Sequence, residues 1–362
     1  MRTYDIIIAG GGPAGLSAAL SASEAGARVL LIDRSPFLGG QLIKQTHKFF
    51  GSETHYAGMR GIDIAKRLVK DVSASSLVDV MDRTTVTGIY DDMVVTAYDN
   101  TDYHRFKTRS VIVATGASEK FLAFPGNDMP GVYGAGAIQT LMNVHGVRPG
   151  KKAVVVGSGN IGLIVSYQMI QAGIEVAMIV EAAQKIGGYK VHATKLRRLG
   201  IPIETSSTVV EAIGDDTLDH VRITRLDDLY NPIEGSDRLV EADILAIAVG
   251  LSPMHQLLDM AGARMTNVSL LGGRVPVLDD TYMTTVPGLY ACGDCSGIEE
   301  ASAAMMEGRL AGLHAARALG YVHPGFDDEI TRYTTELDSL REGPFGNKTR
   351  KGLSIMKEAR HV

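Results

Sequence analysis

Residues 4–33 read "YDIIIAGGGPAGLSAALSASEAGARVLLID". The stretch opens with a β-branched apolar strand (4–9), passes through a glycine loop (10–15) and a small-residue helix, and ends in a second apolar strand that stops on Asp33. Gly26 closes the helix, because glycine takes left-handed dihedrals without a Cβ penalty. Gly10, Gly12 and Gly15 have G-x-G-x-x-G spacing. In such a loop the first glycine permits the tight turn, the second lets the backbone approach a pyrophosphate, and the third lets the helix pack on the strand. Unpaired N–H groups and the positive end of the helix dipole then face the phosphate charge. Asp33 is placed to accept hydrogen bonds from an adenosine ribose. A turn that merely needs glycines is the alternative, and the register of strand, loop, helix and terminal acid argues against it.

The same grammar returns at 153–181, "AVVVGSGNIGLIVSYQMIQAGIEVAMIVE", with glycines at 157, 159 and 162 and a terminal Glu181. From first glycine to acid the spacing is 23 residues in one copy and 24 in the other. The chain therefore carries two copies of one nucleotide-binding unit. For the second copy, two readings stay open: an occupied site, or glycines retained for packing after loss of a ligand. If it is occupied, Glu181 bonds the free 2′-hydroxyl of NAD and repels the extra phosphate of NADP, so NAD is favoured.

Between the copies, "RTTVTGIYDDMVVTAY" (83–98) alternates as an antiparallel ribbon does, and another ribbon-like segment covers 205–240. "ADILAIAVGLSP" (242–253), "GLYACGDCSG" (288–297) and a small-residue helix closed by Gly320 follow. The charged tail, with "REGPFGNKTRKG" (341–352) read as a turn, is expected to pack on the body or on a partner. A chain of 362 residues suits two or three domains. A net charge of -5 argues against nucleic-acid binding. No apolar run approaches the roughly 18 residues of a membrane span, and glycines interrupt the N-terminal apolar stretch, so no signal peptide is expected. Two cysteines in so long a chain point to a reducing compartment, and the cytoplasm is the expected location.

The motifs fall in an order that resembles flavoproteins with two dinucleotide-binding domains, of the thioredoxin reductase and glutathione reductase type. "GGGPAG" with Asp33 matches the FAD loop, "GGQ" (39–41) the segment under the flavin, and "ATGAS" (114–118) the return strand. "GSGNIG" matches the NAD loop, "AVGLSP" (248–253) the close of the NAD domain, and "GLYACGDCSG" the second FAD motif. The resemblance implies an α/β fold of two Rossmann-like domains. An FAD domain (1–117 and 272–325) is split by an inserted NAD-binding domain (118–271), and 326–362 form a tail. It also implies FAD contacts at Gly10, Gly12, Pro13, Ala14, Gly15, Asp33, Arg34, Gly40, Gln41, Val86, Ala114, Thr115, Gly116, Gly293 and Asp294, the last on the ribityl chain. Ser302 and Ala303 would offer N–H groups to the flavin pyrimidine edge. Gly157, Gly159, Asn160, Ile161, Gly162, Glu181 and Gly250 would hold NAD. No metal site is expected.

Redox cysteines are missing from both places where the disulfide reductases carry them, "LGGQLIKQTHKFFG" (38–51) and "MPGVYGAGAIQTLMN" (129–143). The two cysteines, Cys292 and Cys295, flank Asp294 instead. CxxC there is readable as a dithiol, half a metal site, or a by-product of the flavin motif, and the last reading is preferred.

A narrower resemblance covers 114–162 and 292–316: the FAD/NAD-binding subunit of hetero-oligomeric amine-oxidising flavoenzymes, such as sarcosine oxidase α, opine oxidase, hydrogen cyanide synthase and dye-linked L-proline dehydrogenase. It implies an electron-transferring subunit of an amine or amino-acid dehydrogenase, whose substrate-oxidising flavoprotein subunit is the partner. An iron–sulfur cluster, which such relatives carry on a cysteine-rich segment, would sit on another, small subunit of the complex. The alternatives are a stand-alone NADH-dependent reductase, or a second site holding an adenine nucleotide as structural or regulatory ligand. Hydride transfer needs position more than acid–base groups. Near the flavin, Gln41, Thr46 and His47 are candidates; His47 is the one side chain suited to proton handling, because imidazole titrates near neutrality, and a plain surface or core histidine is the favoured alternative. Glu299 and Glu300 are read as first-turn helix charges.

Overall fold

The computed structural model describes residues 1–51 and 56–360. The chain gathers into two compact units: Met1–Ile43, Lys48–Ser118 and Leu251–Val362 in the first, Lys44–His47 and Glu119–Gly250 in the second.

The first unit is built on a five-stranded parallel sheet in the order Leu289–Ala291, Ser110–Val113, Ile6–Ala9, Val29–Ile32, Val78–Met81. The first four of these strands are buried along their whole length. Parallel sheets are covered on both faces, so their strands are continuous apolar runs rather than alternating ones. Ile6 pairs with both Val29 and Ser110, which puts the glycine loop at the carboxyl edge of a central strand. The expected ribbon is present as Thr85–Ile89 antiparallel to Val94–Tyr98, within a separate four-stranded sheet.

On one face the helix after the glycine loop, Pro13–Glu24, packs against Ala301–Ala318. Small residues permit this close approach. A Cβ on Gly308 would lie 2.1 Å from the Ala14 carbonyl oxygen, and one on Gly312 would lie 2.4 Å from that of Ala18. Since a backbone oxygen cannot move aside alone, Gly308→Ala must part the helices. It is expected to lower stability by about 1–3 kcal/mol or more, read as a reduced urea midpoint; a midpoint equal to wild type would refute the packing account.

The tail differs from the expected turn. It forms two helices, Phe326–Leu340 and Gly343–Glu358. Phe326, Tyr333 and Leu337 repeat at helical spacing and enter the core beside the first glycine-loop helix, while Met356 enters the core on the other side of the sheet. The Gly-Pro pair that reads as a turn sits in the first turn of the second helix, where a missing N–H has no intrahelical partner to lose.

The second unit has its own five-stranded parallel sheet, ordered Val132–Gly134, Ile244–Ile247, Lys152–Val156, Glu175–Val180, Ile203–Glu204. A three-stranded antiparallel sheet, Ser207–Ile213, His220–Arg225 and Arg238–Glu241, accompanies it. The short segment Lys44–His47 is fastened into this unit by three side-chain bonds. Asn143 Nδ2 donates to the Lys44 carbonyl at 2.7 Å, Gln168 Nε2 donates to Thr46 Oγ1 at 2.8 Å, and Lys44 Nζ donates to the Gly136 carbonyl at 3.0 Å.

Candidate functional site: two dinucleotide cradles

In the first unit the three motif glycines are glycine for different reasons. Gly10 has φ +114°, and a Cβ there would meet the Ala114 carbonyl oxygen at 2.3 Å. A Cβ on Gly15 would fall 1.8 Å from the Gly10 carbonyl oxygen. The fold itself forbids a side chain at both positions. Gly12 is different: its φ of −79° suits any residue, and the nearest atom to a Cβ would be Gly40 Cα at 3.9 Å. Folding does not require glycine there, so the open cradle over the N-terminus of Pro13–Glu24 fits a bound pyrophosphate.

Asp33 has a second task that its position at a strand end did not reveal. Its Oδ2 accepts the Gly11 N–H at 2.6 Å and its Oδ1 accepts the Ser35 N–H at 2.7 Å. The carboxylate therefore ties the glycine loop to the second strand, and each oxygen keeps a lone pair for a ribose hydroxyl. Thr84 donates its N–H to the Asp33 carbonyl, which brings half-buried Val86 close to the same strand end. Arg34 and Gln41 are exposed. Gly40, φ +53°, lies with its Cα against the glycine loop, since a Cβ there would be 2.8 Å from Gly12 Cα.

At the end of Ser110–Val113, Thr115 Oγ1 donates to the Met254 carbonyl at 2.7 Å, and Gly116 takes φ +76° with open space where a Cβ would be. The Gly293–Cys295 turn leaves the neighbouring strand and rests on the glycine-loop helix. A Cβ on Gly293 would lie 2.8 Å from that of Ala14. Asp294 is half-buried, and desolvation raises its carboxyl to about 7, while its Oδ1 accepts the Glu299 N–H at 3.2 Å. A carboxyl so placed fits hydroxyl donors. Ser302 and Ala303 are buried in the first turn of Ala301–Ala318, where helix N–H groups lack intrahelical acceptors.

The two cysteines are buried free thiols. Burial pushes Cys292 well up and Cys295 to about 12. Cys295 Sγ donates to the Val113 carbonyl at 3.2 Å and the Cys292 carbonyl at 3.3 Å. The thiolate is the reactive form, so at neutral pH neither is a redox nucleophile.

The second unit repeats the design. A Cβ on Gly157 (φ +104°) would meet the Ala248 carbonyl oxygen at 2.3 Å, and one on Gly162 the Gly157 carbonyl oxygen at 2.1 Å. Gly159, at the N-cap of Asn160–Gln171, has nothing within 4 Å of a Cβ and an ordinary φ of −66°. Glu181 Oε2 accepts from Ser158 N at 2.8 Å and Ser158 Oγ at 2.6 Å, while Oε1 accepts the Ala183 N–H at 2.9 Å. Asn160 Oδ1 accepts the Tyr189 N–H at 2.8 Å, which straps the loop after Glu181 to the helix N-terminus. Ile161 is half-buried beside it, and Gly250 takes φ +120° at the end of the last strand of the unit.

His47 departs from expectation. Burial and the nearby His192 lower its imidazole to about 4, so it is neutral at pH 7 and the argument from near-neutral titration does not hold. Glu299 is likewise no first-turn charge: the helix starts at Ala301 with Glu300 as its N-cap, and Glu299 is engaged by Arg341. Among the described residues no group of three or more His, Cys, Asp or Glu could hold a metal ion, and no helix is long and apolar enough to cross a membrane.

The arrangement matches a known family. Residues 4–308 fit the model of the family described as "Pyridine nucleotide-disulphide oxidoreductase". The chain belongs to this pyridine nucleotide-disulphide oxidoreductase family. It is thus an FAD-dependent oxidoreductase, and the family's cofactors are FAD and a pyridine nucleotide. An opine oxidase subunit of Rhizobium meliloti is 28% identical over 347 residues, covering 88% of this chain and 64% of the relative. The alpha subunit of sarcosine oxidase from Corynebacterium sp. (strain U-96) is 28% identical over 338 residues, covering 88% of this chain and 33% of the relative. The chain spans less than two thirds of the length of either. Thioredoxin reductase of T. acidophilum has the same fold, with a TM-score of 0.73 at 23% identity over 88% of this chain and 99% of that one. Both open cradles of this family member, at Gly12 and at Gly159, and the hydroxyl-seeking Asp294 fit such cofactors.

Proposed function

We propose that this chain is the electron-transferring subunit of a multi-subunit amine or amino-acid dehydrogenase, with FAD on the first glycine loop and NAD on the second. The observation that carries this reading is the state of the cysteines. The chain has two, both buried with raised thiol pKa, so the family scaffold lacks a reactive dithiol and electrons need another acceptor. The relatives are named as subunits of opine and sarcosine oxidases, which supports the presence of a partner subunit; in our reading that partner is a substrate-oxidising flavoprotein, and a small iron–sulfur protein is a further carrier.

When bound, the isoalloxazine and nicotinamide supply hydride transfer. The chain's own residues bind and orient. The backbone of Gly10–Gly15 and the helix N-terminus hold a pyrophosphate, Asp33 holds the adenosine ribose, and Asp294 accepts from the ribityl chain. The N–H groups of Ser302 and Ala303, in the first turn of their helix, would donate to the pyrimidine edge of a bound flavin and stabilise negative charge there. In the second unit the Gly157–Gly162 loop holds the other pyrophosphate. Glu181, fixed by Ser158 and Ala183, keeps a negative charge where an NADP phosphate would lie.

Anaerobic stopped-flow mixing tests the cofactor part. NADH is expected to bleach the flavin at least tenfold faster than NADPH, and Glu181→Gln, which removes the charge but keeps the shape, is expected to narrow that gap. Equal rates with both nucleotides in the wild type would remove Glu181 as the selector, and binding of ADP without any reduction by NADH would favour a purely structural nucleotide. Co-expression with an adjacent amine-oxidising flavoprotein should give a stable complex with dye-linked dehydrogenase activity. A chain that stays solitary and inert toward amines in that experiment defeats the subunit reading.

A further inference from the structure

The tail helix Phe326–Leu340 ends on Arg341, whose guanidinium is nearly enclosed, with 10% of the side chain exposed. Its Nε and Nη2 grip Glu299 in a two-pronged contact, at 3.0 Å to Oε2 and 2.5 Å to Oε1. The same Nη2 reaches Glu307 Oε1 at 2.5 Å. Glu299 and Glu307 are as enclosed as the arginine, at 10% and 7%. Burying three charged groups is unfavourable unless their geometry is good and their remaining hydrogen-bonding capacity is used. A tail that needed only to pack would use apolar residues here.

The remaining capacity of both acids is directed at one place. Glu307 Oε2 accepts the Gly293 N–H at 2.8 Å, and the backbone N–H of Glu299 donates to Asp294 Oδ1 at 3.2 Å. One guanidinium from the tail thus holds the two residues that grip either side of the Gly293–Asp294 turn. Gly293 sits at φ +72°, which glycine adopts freely, and a Cβ there would lie 2.8 Å from that of Ala14, so the turn is seated on the glycine-loop helix. Two carboxylates share a single cation. Burial pushes the Glu307 carboxyl upward against the pull of Arg341, and it also raises the hydroxyl of Tyr282, which faces the same cluster.

We propose that Arg341 is a positioning residue for the flavin-binding turn, acting through Glu299 and Glu307, so that the tail helix is part of the FAD site. The inference rests on the reading that Asp294 contacts FAD. The experiment therefore uses purified holoprotein of the wild type, Asp294→Ala, Arg341→Met and Arg341→Lys. FAD release is followed by flavin fluorescence, and melting temperatures are taken with and without added FAD. A ligand that binds only the folded state raises the melting temperature, and the rise grows with the logarithm of its affinity.

Arg341→Met is expected to release FAD at least tenfold faster and to lose most of the FAD-dependent rise in melting temperature. Arg341→Lys keeps the charge but not the fork, so it should fall between, and it gives the reading if the methionine variant does not fold. A purely structural arginine would lower the melting temperature with and without FAD by the same amount and leave release unchanged, which overturns the proposal. If Asp294→Ala keeps FAD as the wild type does, the turn is no flavin site and the underlying reading fails. If Asp294→Ala loses FAD while both Arg341 variants hold it normally, the positioning role alone fails.

Discussion

Gly12→Ala is expected to fold and yet to emerge from purification without its flavin. The backbone at Gly12, φ −79° and ψ −172°, is open to alanine, and the nearest neighbour of the new methyl is 3.9 Å away. Nothing in the protein resists the substitution. If the loop carries a pyrophosphate as proposed, the methyl group would stand between it and the N–H groups of the helix N-terminus and hold the phosphate away from them. Loss of those charge-assisted contacts should weaken FAD binding at least a hundredfold, roughly 3 kcal/mol. The ratio of flavin to protein absorbance reads the loss, and far-UV circular dichroism with a melting curve checks the fold. Gly15→Ala is the contrast, since its methyl would sit 1.8 Å from a backbone oxygen and must damage the unit as well as the site. Wild-type flavin content in folded Gly12→Ala would show that this loop does not carry a pyrophosphate.

Gly159→Ala is the matching experiment in the second unit, with the opposite signature. Its φ of −66° is ordinary and no atom lies within 4 Å of the added Cβ, so the variant should fold and keep its yellow colour. Reduction by NADH should fall at least a hundredfold, roughly 3 kcal/mol in the sum of binding and chemistry. Anaerobic rapid mixing separates the contributions: a lost saturation behaviour reports binding, and a lower limiting rate reports misplacement of the nicotinamide. An unchanged rate in Gly159→Ala, with flavin present, would assign reduction to some other entry point and leave the second loop with glycines kept for packing. Together the two variants assign one cofactor to each loop without disturbing the core.

Much of this was legible in the linear chain because the determinants are local. The apolar runs 4–9 and 153–156, the three glycines after each, and an acid 23 or 24 residues on lie within single strand–helix–strand units. Periodicity and glycine spacing report directly on such units. What the spacing could not separate is the reason for each glycine. Gly10 and Gly15 are demanded by backbone oxygens of the protein itself, whereas Gly12 is spare, and this distinction exists only once Ala114 and Gly40 are placed around the loop.

His47 shows how far a residue type can mislead. Imidazole suggested proton handling near neutrality, but enclosure and His192, which lies 145 positions further along the chain, move it to about 4. Asp33 and Glu181 suggested ribose acceptors from their places at strand ends, and only the structure shows that their bonds to Gly11, Ser158 and Ala183 fasten the loops. The tail packs on the body as expected, but not as a turn. Its glycines and proline suggested a turn, and only the packing of Phe326, Tyr333, Leu337 and Met356 turned it into two docked helices.

The sequence by itself determined the two nucleotide-binding units, their order, and the absence of cysteines from the positions where disulfide reductases carry them, because each rests on residues close together in the chain. Tertiary structure alone decided which ionisable groups are enclosed and what supports the Gly293–Asp294 turn. Arg341 meets Glu307 and Glu299 across 34 and 42 positions. Ionisation and hydrogen bonding depend on the atoms that enclose a group, and no local pattern encodes them.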